Sequence, residues 1–292
     1  MQKTADTGVR NRRQGQFGQV MHRLRKNKVA MVGLVVLLLL ILMAILSPWI
    51  TPYDYAKTSK NNRYALPSLE HPFGCDAMGR DILSRIMYGA RASLWLGLMS
   101  TLVSTIVGVL LGSLVGYYGG KVDNIVMRIL DIIQAIPGML LSIAISAALG
   151  SGIGNTILAL SIGGIPMTVR LLRGSILTVR KQEYIEAAEK INCSKFRVIM
   201  SHILPNSIAP VIVSVTMGIG NTILQAASLS YIGLGVQPPT PEWGAMLSQG
   251  KSMITKYPHL CIFPGLAIMV VVLCLNMLGD GLRDAMDPKL KN

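Results

Sequence analysis

Residues 183–206 read EYIEAAEKINCSKFRVIMSHILPN, a charged amphipathic stretch set between two long apolar segments. Its first part predicts a short helix over 182–190, in which Ala187 and Ala188 let another backbone approach closely while the Glu186 carboxylate stays on the rim. Asn192 tolerates a left-handed backbone, so it ends that helix, and Ser194 caps the start of a second one. The second helix is expected over 195–203. On it Phe196, Ile199, Met200 and Ile203 fall at helical spacing on one face, with Lys195, Arg197 and His202 placed mostly elsewhere. Pro205 cannot continue a helix interior and starts the next element. Such an insert faces water and a partner, in a chain otherwise built for lipid.

The composition says why lipid is the surrounding. Of 292 residues, 51% are hydrophobic and 14% charged, where soluble domains carry about 25% charged residues. Residues 1–28 are polar and basic, and the 22 residues from 29 to 50 carry no charge, enough to cross a hydrocarbon core of about 30 Å. With a long polar lead and no Ala-x-Ala site before Pro48-Trp49, this first segment reads as an uncleaved anchor. Further spans are expected over 93–118, 132–149, 155–168, 207–230 and 260–278, giving an all-α polytopic membrane protein of six helices. The fourth is short, and would borrow Val169, Leu171 and Leu172 while Arg170 and Arg173 snorkel to the interface.

Orientation follows from the 28 Lys and Arg residues: with the N-terminus inside, 20 lie on the cytoplasmic side and 8 outside. The positive-inside rule therefore sets both termini in the cytoplasm. The organisation is a basic segment over 1–28, a first helix over 29–50, an extracytoplasmic segment over 51–92, a core of five helices over 93–280 with a cytoplasmic loop over 174–206, and a tail over 281–292. Topology accounts for the net charge of +14, and without a basic patch interleaved with aromatics it does not point to nucleic acid.

Between the first two spans, Asp76, Arg80, Asp81, Arg85 and Arg91 are dense among small residues. Arginines enter lipid only at a cost, so Arg80, Arg85 and Arg91 are expected to pair with Asp76, Asp81 or carbonyls at the outer face. Gly108, Gly112 and Gly116 form a small-residue stripe for close helix packing. Asp131 is expected to pair with Arg128, three residues earlier. Pro137, Pro166, Pro210 and Pro264 interrupt spans three to six, consistent with kinks around a central cavity. Pro238, Pro239 and Pro241 stiffen a loop over 236–258, where Trp243, Met246, Leu247, Met253 and Ile254 suggest a short helix in the outer interface, either meeting a delivery protein or plugging the surface. Cys75, Cys193, Cys261 and Cys274 have no metal-like spacing and fall in different compartments, which argues against disulfides. His71 and Cys75 alone make no metal site.

Energy-converting chemistry is not visible in these residues. The run 116–122 has the wrong glycine spacing for a phosphate loop, with Val122 where Ser or Thr would hold magnesium. No intramembrane carboxylate series would carry protons. Asp131 is the one candidate for a secondary transporter, and an intramembrane enzyme would lack a catalytic pair.

The order Glu186-Ala187-Ala188, a turn residue, then Leu204-Pro205 resembles the cytoplasmic loop of type I ABC importer permeases, with Asn192 where glycine is usual and His202 at a position often aliphatic. The run from His71 through Gly79-Arg80-Asp81 to Ser93-Leu94, and the run 229–244, resemble the C-type permease of dipeptide, oligopeptide and nickel importers. The matches extend to Asp287-Pro288; Cys75 replaces a commoner Thr or Ser, and Lys289 a commoner Arg. The resemblance implies a non-catalytic subunit in a prokaryotic inner membrane, with ATP and Mg on separate ATPases and no cofactor on this chain. It implies contact with the ATPase at Glu186, Ala187, Ala188, Phe196 and Ile199, and hinge geometry at Asn192 and Pro205. The implied partners are a second, homologous permease forming a heterodimer, two ATPase subunits and an extracytoplasmic solute-binding protein. Peptides lead as substrate, with nickel, glutathione or glycosides as alternatives.

Overall fold

The computed structural model describes residues 16–286; Asp287-Pro288 and Lys289 lie outside the described residues. An amphipathic helix α1 (Gln16–Lys26) precedes α2 (Lys28–Ile50), whose start is set by Asn27 accepting a hydrogen bond from the Ala30 N–H at 3.1 Å. Residues 51–81 form an irregular cap. Asp81 then accepts from the Ser84 N–H at 2.7 Å and opens α3 (Ile82–Tyr118). At 37 residues α3 is about 55 Å long. It begins eleven residues before the expected start at 93, because Arg85 is buried and held by the cap instead of lying in a loop.

Gly119 and Gly120, at φ 64° and 55°, turn the chain from α3 into α4 (Gly120–Gln134). Residues 116–122, whose glycine spacing does not fit a phosphate loop, are this helix–turn–helix junction. The expected third span over 132–149 is broken: α4 and α5 (Gly138–Leu149) meet at 83°, with Pro137 as the cap residue of α5. The fourth span is the reverse case, one continuous helix α6 (Ile153–Val179) with Pro166 inside it. Its arginines are paired with carboxylates of α4. Arg173 forks onto both oxygens of Asp123 at 2.7 and 2.5 Å, and Arg170 meets Asp131 at 2.5 Å. Asp123 and Asp131, eight residues apart on one face of α4, thus tie it to α6, and the expected Asp131–Arg128 pair gives way to this cross-helix pair.

The insert follows as α7 (Glu183–Lys190), α8 (Lys195–Arg197), a π-helical turn (Val198–Ile203) and α9 (Leu204–Ser207). It leads into α10 (Ala209–Tyr231), with Pro210 in its first turn. After the loop come α11 (Trp243–Gly250) and α12 (His259–Met286), with Pro264 near the start of the latter. Five of the described helices are long and apolar enough to cross a membrane, and the bent α4–α5 pair makes six if counted as one span.

α3 packs along α6, α10 lies against both, and α12 runs between α10 and α2. Gly108, Gly112 and Gly116 face α6. A Cβ added there would come within 2.5 Å of Thr168 Cβ, 3.2 Å of Leu172 Cβ and 2.8 Å of Ile176 Cγ2, respectively. The cap is fastened to the α12 end by stacked rings, Phe73 on Phe263 at 4.0 Å and Tyr64 on Tyr257 at 4.7 Å.

Candidate functional site

The insert turns at Asn192, whose φ of 62° is left-handed. The N–H of Asn192 bonds the Glu189 carbonyl and that of Cys193 the Ala188 carbonyl, so α7 ends in a Schellman motif with asparagine at the position glycine usually takes. Ser194 then caps α8 by accepting from the Arg197 N–H at 3.4 Å. From Val198 on, the helix widens into the π turn, so residues five apart stack and the expected apolar face is redistributed. Val198 and Ile203 point inward, while Phe196 and Met200 point out.

The inward face packs tightly. Ile185, Ala188, Val198 and Ile203 are buried against Tyr117, Leu172, Ile176 and Val211, from α3, α6 and α10. Ile199 is half-buried against the same cluster. Ala188 therefore serves the chain's own core, not an outward contact. The outward face carries Glu186, Ala187 and Pro205 together with apolar side chains: Ile191 is 78% exposed, Phe196 74%. Tyr184 and Met200 join them. Sequence reading singled out Phe196 but passed over Ile191, whose place beside the turn residue was its only signal.

At the opposite end of α3, the cap holds a knot of charge. Arg80 Nε bonds Asp76 Oδ2 at 2.7 Å, Arg85 Nε lies 3.6 Å from the same oxygen, and Arg85 Nη1 donates to the Tyr55 carbonyl at 3.3 Å. Arg91 departs from its expected pairing: it is exposed, its guanidinium 5.8 Å from the centre of the Tyr88 ring. Asp81 spans the start of α3, one oxygen on the Ser84 N–H and the other 2.9 Å from His71 Nδ1, while Asn62 Nδ2 meets His71 Nε2 at 3.1 Å. Donor atoms of His71, Cys75 and Asp81 lie within 4.8 Å of one another. Both ring nitrogens are already engaged, and burial with the charges of Asp81 and Asp76 pushes the Cys75 thiol up to about 11. The cluster is a hydrogen-bonded staple of cap to helix.

Sequence reading placed Glu242 inside the 229–244 run but gave it no role of its own. Its Oε1 accepts from the Gly244 N–H at 2.9 Å and from Ser93 Oγ at 3.2 Å, and its Oε2 from the Ala245 N–H at 2.8 Å, capping α11. Burial raises its carboxyl above the ordinary value despite these donors. Trp243 beside it is fully buried, its Nε1 donating to the Ile86 carbonyl at 3.1 Å. α11 is thus no interfacial helix; with Met246 also buried, it is wedged among α3, α10 and α12.

The insert thus buries Ile185, Ala188, Val198 and Ile203 against the bundle and presents Ile191, Phe196 and Met200 outward. Residues 108–292 match the family described as the binding-protein-dependent transport system inner membrane component. The chain belongs to that family. Residues 15–67 of the permease also match the N-terminal transmembrane domain of oligopeptide transport permease C. It is 47% identical over 270 residues to the dipeptide transport system permease protein DppC of Alkalihalophilus pseudofirmus, covering 92% of this chain and 89% of that one. It is 49% identical over 273 residues to the glutathione transport system permease protein GsiD of Shigella flexneri serotype 5b, with the same coverage. The fold is that of an inward-facing MetNI methionine ABC transporter chain, with a TM-score of 0.58 at 16% identity over 70% of this chain and 98% of that one. The permease is a non-catalytic, multi-pass inner-membrane subunit of an ABC importer, and works with other components of such a transporter.

Proposed function

We propose that the permease forms one half of the translocation path of an importer for di- or oligopeptides, driven through its insert by ATPase subunits. The observation that carries this reading is the outward apolar face of the insert, Ile191, Phe196 and Met200 around Glu186 and Ala187, on an element otherwise seated in the chain's own core. An apolar patch rimmed by charge on a water-facing loop fits a protein partner. Asn192 and Pro205 serve as the hinge points of the insert. The other half of the path comes from a second, homologous permease. Two ATPases hold ATP and Mg, an extracytoplasmic binding protein delivers substrate, and both termini lie in the cytoplasm, a placement supported by the distribution of Lys and Arg.

The dipeptide relative supports peptides, and the glutathione relatives support a second reading, since glutathione is itself a peptide-like anion. Nickel and glycosides have no such support among these relatives. A self-sufficient transporter built on Asp131 is disfavoured by the pairing of that carboxylate with Arg170. The test is a pull-down of tagged permease from detergent-solubilised native membranes, with partners identified and any co-purified binding protein assayed for dipeptide and glutathione. Recovery of a second permease and an ATPase with ATP hydrolysis is expected. Recovery of this chain alone, under conditions that preserve such complexes, would overturn the reading.

A further inference from the structure

α3 ends in two adjacent tyrosines, whose polar contacts reach different halves of the insert. Tyr117 is buried among Leu172, Ile176, Ile185 and Val198, and its hydroxyl donates to Glu189 Oε1 on α7 at 3.2 Å. The Arg180 guanidinium lies 5.5 Å from the centre of the same ring. Tyr118 stands edge-on to Tyr117 at 5.2 Å, and the Lys195 ammonium of α8 is 5.6 Å from its ring centre. The remaining contacts between insert and bundle in this region are largely apolar. Apolar packing is non-directional and lets surfaces slide, whereas a phenol donating to a carboxylate fixes distance and angle.

What Tyr117 is attached to gives this contact its consequence. α3 runs unbroken from Tyr118 to Ile82, where Asp81 and the Arg80–Asp76–Arg85 knot hold it to the cap. A push on Glu189 therefore acts on a rod whose far end is fixed in the cap. We propose that the Tyr117–Glu189 hydrogen bond, with Lys195 over Tyr118 beside it, is the contact through which movement of the insert is passed to α3. This rests on the insert being the ATPase dock. Tyr117 and Glu189 are positioning residues in this account, acting through the helices that carry them.

The test is hydrogen–deuterium exchange on the assembled transporter, with and without ATP plus orthovanadate, comparing the insert with residues 115–120. In the unaltered complex, trapping is expected to change exchange in both regions, by about threefold or more at 115–120. Tyr117→Phe keeps the ring and its packing; the insert should still respond, while the response at 115–120 shrinks to within about 1.5-fold. Glu189→Leu should do the same, whereas Glu189→Gln, whose amide carbonyl still accepts from the phenol, should restore the response. A full response at 115–120 in Tyr117→Phe would overturn the proposal, as would Glu189→Gln behaving like Glu189→Leu, or no response at 115–120 in the unaltered complex. An insert that does not respond in the unaltered complex would instead overturn the docking reading, and this proposal with it.

Discussion

Phe196 and Glu242 are opposite cases at the residue scale, one an apolar ring left in water and the other a carboxylate removed from it. A large exposed ring on a charged loop gains by entering a partner's cleft, and anchors of this type carry a large share of interface energy. Phe196→Ala is expected to weaken ATPase binding by about 2 kcal/mol, roughly thirtyfold in affinity, without changing membrane insertion. Glu186→Lys, a change to a water-facing charge, should weaken docking in the same direction, and titration of ATPase onto nanodisc-embedded permease would read both. Glu242 makes a different prediction. Its carboxyl is raised above the ordinary 4.5, so the folded state holds its proton more tightly than the unfolded chain. Its contribution to stability is present below 4.5 and lost as pH rises through the raised value. Glu242→Gln removes that titration and turns an amide NH2 toward the N–H of Gly244 or Ala245. Melting wild type and variant from pH 4.5 to about 8 should show the wild-type advantage largest at the acid end and narrowing upward. A gap independent of pH would remove the carboxyl from the account.

At the scale of the element, α3 and α6 depend on three glycines that let their backbones approach. Alanine at each should cost stability in the order of the collisions, greatest at Gly108, less at Gly116 and least at Gly112, up to about 1–3 kcal/mol. Thermal melts of the three variants in detergent would test the order. Spans were legible in the sequence because an uncharged run needs only length to cross a bilayer, as 29–50 shows. The break between α4 and α5 was not, because Pro137 is the same letter as Pro166 and Pro264, both of which sit inside continuous helices. What separates them is tertiary: Asp123 and Asp131 hold α4 against Arg173 and Arg170 of α6, so the chain must turn before α5 can proceed. The turn at Asn192 was local chemistry and could be read directly. The π turn after it was not, since its register is set by burying Val198 and Ile203 against three other helices.

For the whole molecule, one end is a cap stapled by His71–Asp81 and Arg80–Asp76 and closed by α11, and the other end is the insert, with α3 joining the two. The family and the insert were legible from separated motifs. Glu242 was not, because its burial is made by Ser93, far away in sequence, and by the fold of α11. The charge knot was legible as composition, though not its exception, Arg91. The most direct test of the central claim, that the outward face of the insert is the ATPase dock, is to place a photoreactive residue at Phe196 in cells and identify its adducts by mass spectrometry, with Val198 as the buried control. The account predicts a crosslink from position 196 to an ABC ATPase and none from 198. Adducts at 196 confined to lipid or to the permease itself would contradict it.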